Sequence, residues 1–146
     1  MPNDSAALPD GLEWAQRLGN GALADRMGFE WIELTRERAV GRMPVAGNTQ
    51  PVGLFHGGAY VVLAESLGSM HANYTAAPGR FAVGVDVNAT HTRSATAGYV
   101  TGVCTPIHLG RALTVHEIVL SDDEGRRCST VRITNMMIDA PERTGI

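Results

Sequence analysis

One stretch of this chain limits its possible folds more than any other. From Gly57 to roughly Ala76, the residues Ala59, Val62, Leu63, Ser66, Leu67, Met70 and Tyr74 recur at helical spacing along one face. Pro78-Gly79 ends the run, and no other segment offers a long helix. The segments after it all read as strand. Phe81 to Thr92, Gly98 to His108, Ala112 to Leu120 and Arg127 to Ile138 carry β-branched alternation, and Asp122-Asp123-Glu124-Gly125 joins the last two as a hairpin turn. Before the helix, Trp31 to Leu34 and Ala39 to Met43 form two strands around Thr35 to Glu37, and Ala46 to Leu54 is loop. Two strands, one helix and four strands predict an α+β fold with an antiparallel sheet wrapped around one long central helix.

The N-terminal part stands apart from this pattern. Met1 to Leu8 is polar and small enough to be disordered. Pro9-Asp10 then starts a short helix, Gly11 to Leu18, which Gly19-Asn20-Gly21 closes and which lies over the edge of the main fold. The expected division is an extension over 1–27, a main domain over 28–140 and a tail over 141–146. A chain of 146 residues suits one such domain.

Charge removes several function classes. The formal charge is -3, and all 12 basic residues are arginine. A nucleic-acid binder usually shows a basic surplus, so no nucleic-acid partner is expected, although a few placed arginines can still hold a phosphate. No apolar run approaches the roughly 20 residues that cross a bilayer, and no signal peptide is seen, so a soluble, cytoplasmic protein is expected. Cys104 and Cys128 then read as buried free thiols. The histidines His56, His71, His91, His108 and His116 lack metal-ligand spacing, and His71, off the Glu65 face, reads as a surface or interface residue. There is no Gly-x-Ser-x-Gly elbow, phosphate loop or dinucleotide glycine signature.

The chemistry concentrates between Gln50 and Ser69. His56-Gly57-Gly58 falls where loop becomes helix, and the first amides of a helix favour a developing oxyanion. A glycine-assisted start to the helix is the bland alternative. Glu65 shares a helix face with Gly58, Val61, Gly68, Ser69 and Ala72, among apolar residues that predict burial. The small neighbours leave room for a ligand or another helix. A buried Glu65 paired with an arginine, such as Arg93, is the structural alternative. Eight residues separate Gly57 from Glu65, about 12 Å along the axis, whereas a base must come within about 3 Å of its target. One helix cannot present both groups to one carbonyl. If both react, the site lies between two subunits.

The run Gly53-Leu54-Phe55-His56-Gly57-Gly58-Ala59-Tyr60, followed by Leu63-Ala64-Glu65, resembles the hotdog-fold acyl-CoA thioesterases. It is most similar to the PaaI-like group that includes the Arthrobacter-type 4-hydroxybenzoyl-CoA thioesterase. The similarity covers Gly28 to Ile138. It implies hydrolysis of aryl- or medium-chain acyl-CoA without a metal or cofactor. Glu65 would be nucleophile or general base, the Gly57 amide would polarise the thioester carbonyl, and Gln50 would sit near that carbonyl or the water. His56 would orient the loop, and Ser69, where the Arthrobacter type has threonine, would support the carboxylate. Gly58, Asn88, Arg93, Gly110 and Arg111 are the matching candidates for contacts with substrate or CoA. Asn88 could equally be a strand-edge polar residue, and Arg93 a solvated arginine at a strand end. Members are homodimers that share active sites, arranged as dimers of dimers. The alternatives are an acyl-CoA-binding module without turnover, and a hotdog hydratase or dehydratase.

Overall fold

The computed structural model describes residues 8–142. The element order is α1 (Gly11–Leu18), α2 (Ala22–Arg26), β1 (Glu30–Leu34), β2 (Ala39–Pro44), α3 (Gly57–Tyr74), β3 (Arg80–His91), β4 (Tyr99–Leu109), β5 (Leu113–Ser121) and β6 (Arg127–Asp139). The long helix and the six strands fall where the sequence pattern put them. The short α2 was not anticipated. The disorder expected of Met1 to Leu8 falls mostly on residues outside the described ones. Leu8 itself packs against the core.

The strands form one sheet in the order β1-β2-β4-β5-β6-β3, and every neighbouring pair is antiparallel. The sheet curls around α3, which touches β2 to β6. The close approach is made possible by two glycines in register, Gly41 on β2 and Gly102 on β4. A side chain at either would run into Leu67. Leu63 and Leu67 are fully buried, and each contributes on the order of 2 kcal/mol through apolar burial.

Asp10 caps α1 by accepting from the Glu13 amide at 2.9 Å. The helix rests on β1, and Trp14 packs against Tyr74 with ring centroids 5.5 Å apart. The Tyr74 hydroxyl donates to the Pro9 carbonyl at 2.7 Å, tying the extension to the end of α3. Cys104 and Cys128 are buried and unpaired. Among the described residues no helix is long and apolar enough to cross a membrane.

Gly68 was expected to leave room for a ligand or a second helix. It instead faces β6, where a methyl group would press into Ile133 Cγ2. Gly68→Ala gains up to about 1 kcal/mol of helix propensity but overpacks a filled interface, which typically costs about 1–3 kcal/mol. The net expectation is a fall of a few degrees in the thermal midpoint, measurable by calorimetry. An unchanged or raised midpoint would mean that α3 shifts freely over the sheet.

Candidate active site

The loop before α3 is held by backbone bonds that leave its polar groups aimed in set directions. His56 N donates to the Asn48 carbonyl, and Phe55 N to the Ala95 carbonyl, both at 2.8 Å. Asn48 is buried and ties the loop down through the carbonyls of Met27 and Pro44. Gly53 turns the chain with φ 85°. The Gln50 Oε1 accepts from the Val52 amide, and among the described residues the Gln50 NH2 has no acceptor.

His56 is the N-cap of α3, and its Nδ1 accepts from the Gly58 amide at 2.9 Å. That bond requires the His56 proton on Nε2. The amides of Ala59 and Tyr60 donate to the His56 carbonyl. Among the described residues the Gly57 amide is therefore the one first-turn donor left without an acceptor.

His91, which sequence reasoning passed over in favour of Arg93, belongs to this end of the helix. Its Nε2 lies 3.1 Å from the point where a Gly57 side chain would begin. Its Nδ1 is 2.8 Å from Ser129 Oγ, which itself donates to the Thr90 carbonyl. His91 Nδ1–H must then be the donor, and Nε2 is the ring nitrogen toward Gly57. The ring lies 4.9 Å from that of Tyr60, whose hydroxyl donates to the Arg93 carbonyl.

Glu65 sits two turns further on, and the expectation of burial is corrected: it is exposed. It has no arginine partner among the described residues, so the proposed pair with Arg93 does not form. The reason is topological. The sheet ends at β3, and β3 carries Gly84 opposite Glu65, with a bulge between Gly84 and Asp86. A side-chain carbon at Gly84 would lie 3.1 Å from Glu65 Oε1 and 3.7 Å from Asn135 Oδ1. The missing side chain lets the Glu65 carboxylate pack close to the β3 backbone.

Ser69 lines the same helix face, but its hydroxyl donates to Asn135 Oδ1 at 3.2 Å and not to Glu65. His71, expected at the surface or an interface, is fully buried and bonds His116 across 2.8 Å. Sequence alone could not pair two histidines 45 positions apart. Asn88 lies between Val87 and Ala89, which pack on the core, so it faces the other side of the sheet from α3. Arg93 and Arg111 are exposed and unpaired among the described residues. Gly110 and Arg111 border a cavity of about 800 Å³ beyond the end of α3, shared with Ala72, Arg80, Thr114 and Met137.

Comparison with known proteins gives the family. The family model for the thioesterase superfamily matches residues 52–129. The proofreading thioesterase EntH of Cronobacter turicensis is 43% identical over 119 residues, which cover 81% of this chain and 87% of that protein. A thioesterase from Haemophilus influenzae superposes with a TM-score of 0.83 at 33% identity, covering 95% of each chain. A Staphylococcus aureus protein, solved as a glutamate-to-alanine variant, matches with a TM-score of 0.78 at 27% identity, over 81% of this chain and 99% of that one. The same protein, as a glutamine-to-alanine variant, is described as a thioesterase. The chain belongs to the thioesterase superfamily and is a thioester hydrolase with the hotdog fold.

Proposed function

We propose that the protein hydrolyses acyl-CoA, with Glu65 as the reacting carboxylate and the Gly57 amide as the oxyanion donor. The first turn of α3 carries this reading. His56 occupies the Gly58 amide and leaves the Gly57 amide alone at the positive end of the helix, the charge a tetrahedral intermediate needs. Glu65 either attacks the carbonyl or takes a proton from water; the thiolate leaves, and water supplies the oxygen of the acid. In the Staphylococcus aureus thioesterase the substituted glutamine and glutamate stand fifteen positions apart, the separation of Gln50 and Glu65 here. That match supports Gln50 as the donor to the carbonyl or water.

The two helix groups of one chain remain about 12 Å apart, so the reading needs a homodimer in which Glu65 meets the partner's helix start. The outer edge of β3 supports such pairing. It is 12 residues long, unpaired among the described residues, and carries Val85 at 52% exposure. Two such dimers would form the tetramer that the family resemblance implies. CoA phosphates would meet Arg93 beside the helix start of one subunit, and Gly110 and Arg111 at the cavity rim of another. Aryl- and medium-chain acyl groups are the substrates to try first.

The test is release of free CoA from a panel of aryl-, short- and medium-chain acyl-CoAs, read with a thiol reagent. Both cysteines are buried, and burial pushes the Cys104 thiol up to about 12, so the protein adds little background. Turnover of one acyl class defines the substrate. Tight binding without release would overturn the hydrolytic reading.

Arg93→Met checks the phosphate contact. A lost charge-assisted bond of ~1.5 kcal/mol or more raises KM for CoA esters roughly tenfold. The N-acetylcysteamine thioester of the same acyl group has no phosphates, and its kinetics should not move. Equal losses on both substrates would remove Arg93 from CoA binding.

A further inference from the structure

We propose that Asn135 is a positioning residue for the hydrolysis: its Oδ1 accepts the Ser69 hydroxyl hydrogen bond, so that the Ser69 oxygen is left to accept from the attacking water beside Glu65. This rests on the reading of Glu65 given above. Asn135 lies on β6 with Gly84 of β3 and Thr114 of β5 as its cross-strand partners. Ser69 is one turn beyond Glu65 on the same face of α3. The carboxylate and the amide therefore both lie against Gly84, and the Ser69 hydroxyl joins them through its bond to Asn135.

The behaviour of the other hydroxyls on α3 makes the Ser69 bond informative. Ser66 Oγ bonds back to the Val62 carbonyl at 2.7 Å, and Thr75 Oγ1 to the His71 carbonyl at 2.8 Å. Both follow the usual habit of helical hydroxyls. Ser69 instead reaches across to the sheet.

Asn135 is also an expensive residue to keep in place. It is fully buried, and its Nδ2 has no partner among the described residues. Such an orphan typically costs about 1–3 kcal/mol. Val131 and Ile133 precede it on the same inward row, so an aliphatic side chain would suit the fold better. Thr114 Oγ1 and His116 Nδ1, on the neighbouring strand, are unpartnered too.

Direction of donation sets the chemistry. Because the Ser69 hydroxyl donates its hydrogen bond to Asn135 Oδ1, it does not donate to Glu65, and its oxygen is left to accept. A water that donates one proton to Glu65 and the other to Ser69 turns its oxygen lone pair away from both, toward a carbonyl carbon. Glu65 takes the first proton as the C–O bond forms, and returns it to the thiolate when the C–S bond breaks. If Glu65 attacks directly, the same water hydrolyses the acyl-enzyme.

The experiment compares Asn135→Leu, Ser69→Ala and the double variant on one acyl-CoA that the wild type turns over. Losing one oriented bond should lower kcat roughly tenfold in Asn135→Leu, with KM within about twofold and no fall in thermal midpoint. In the Ser69→Ala background the Asn135 change should add nothing. Asn135→Val, suited to an inward strand position, serves if the leucine does not fold. A folded variant with wild-type kcat, or a further tenfold loss on top of Ser69→Ala, overturns the inference. A wild type that releases no CoA would overturn the reading of the site itself.

Discussion

Glu65→Gln is expected to fold like the wild type and to lose at least about a hundredfold in kcat, the usual cost of removing a catalytic acid or base. The two halves of that expectation come from the same observation. Glu65 is exposed and makes no ion pair among the described residues, so little stability depends on its charge. Substitutions at such positions usually stay within ±0.5 kcal/mol. Glutamine keeps the shape and the hydrogen-bonding reach, but it can neither take a proton from water nor attack a thioester. Binding of acyl-CoA should survive, because the oxyanion amide at Gly57 and Arg93 are untouched. The decisive comparison is kcat against KM at matched thermal midpoint. A variant that retains more than a tenth of wild-type kcat would remove Glu65 from the chemistry and leave Gly57 without its counterpart.

The fold was legible because its determinants are local. One helical run with Asn, Gly and Pro around its ends, and six alternating segments with turn residues between them, place the helix and strands to within one or two residues. Only α2 escaped, since five residues give too short a period to read. Asp10 was visible as a helix start and is the cap of α1.

The site was legible only in part, and the reason is the shape of the sheet. Composition made α3 look apolar all round, so Glu65 was expected to be buried. The sheet covers α3 only as far as β3, its last strand, where Glu65 lies beside Gly84. Asn135 carried a usable signal that went unread. On β6 the inward row runs Val131, Ile133, Asn135, Met137, and a polar residue in such a row needs an explanation. His116 interrupts the inward row Thr114, Ile118, Leu120 in the same way. The pairing of His71 with His116 depends on the tertiary fold and leaves no local trace.

That histidine pair should make the fold acid-sensitive in a defined window. His71 Nε2 lies 3.0 Å from the Arg36 carbonyl, which can only accept, so Nε2 holds the proton. His71 Nδ1 then accepts from His116 Nε2–H, and both rings are neutral. Burial lowers the pKa of each. The Glu37 carboxylate and the Arg36 and Thr35 carbonyls offset part of this at His71. Repulsion from His71 adds to burial at His116 and brings it to about 4. An unfolded histidine titrates near 6.5. Between those values the unfolded chain binds more protons than the folded one, so stability is complete above pH 6.5 and falls as the pH drops toward 4. His116 alone accounts for a loss on the order of 2–3 kcal/mol between pH 7.5 and 4.5. His116→Gln can still donate to His71 Nδ1 but cannot titrate. Urea unfolding at the two pH values should therefore show the variant losing roughly 2–3 kcal/mol less than the wild type. Glu33 and Asp122, held below their usual range by Arg38 and by the Arg126 turn, also cost stability in acid, but equally in both proteins. Equal losses in the two proteins would mean that the pair takes up a proton in the folded state at the ordinary histidine pKa. The buried bond between the rings would then contribute no acid sensitivity.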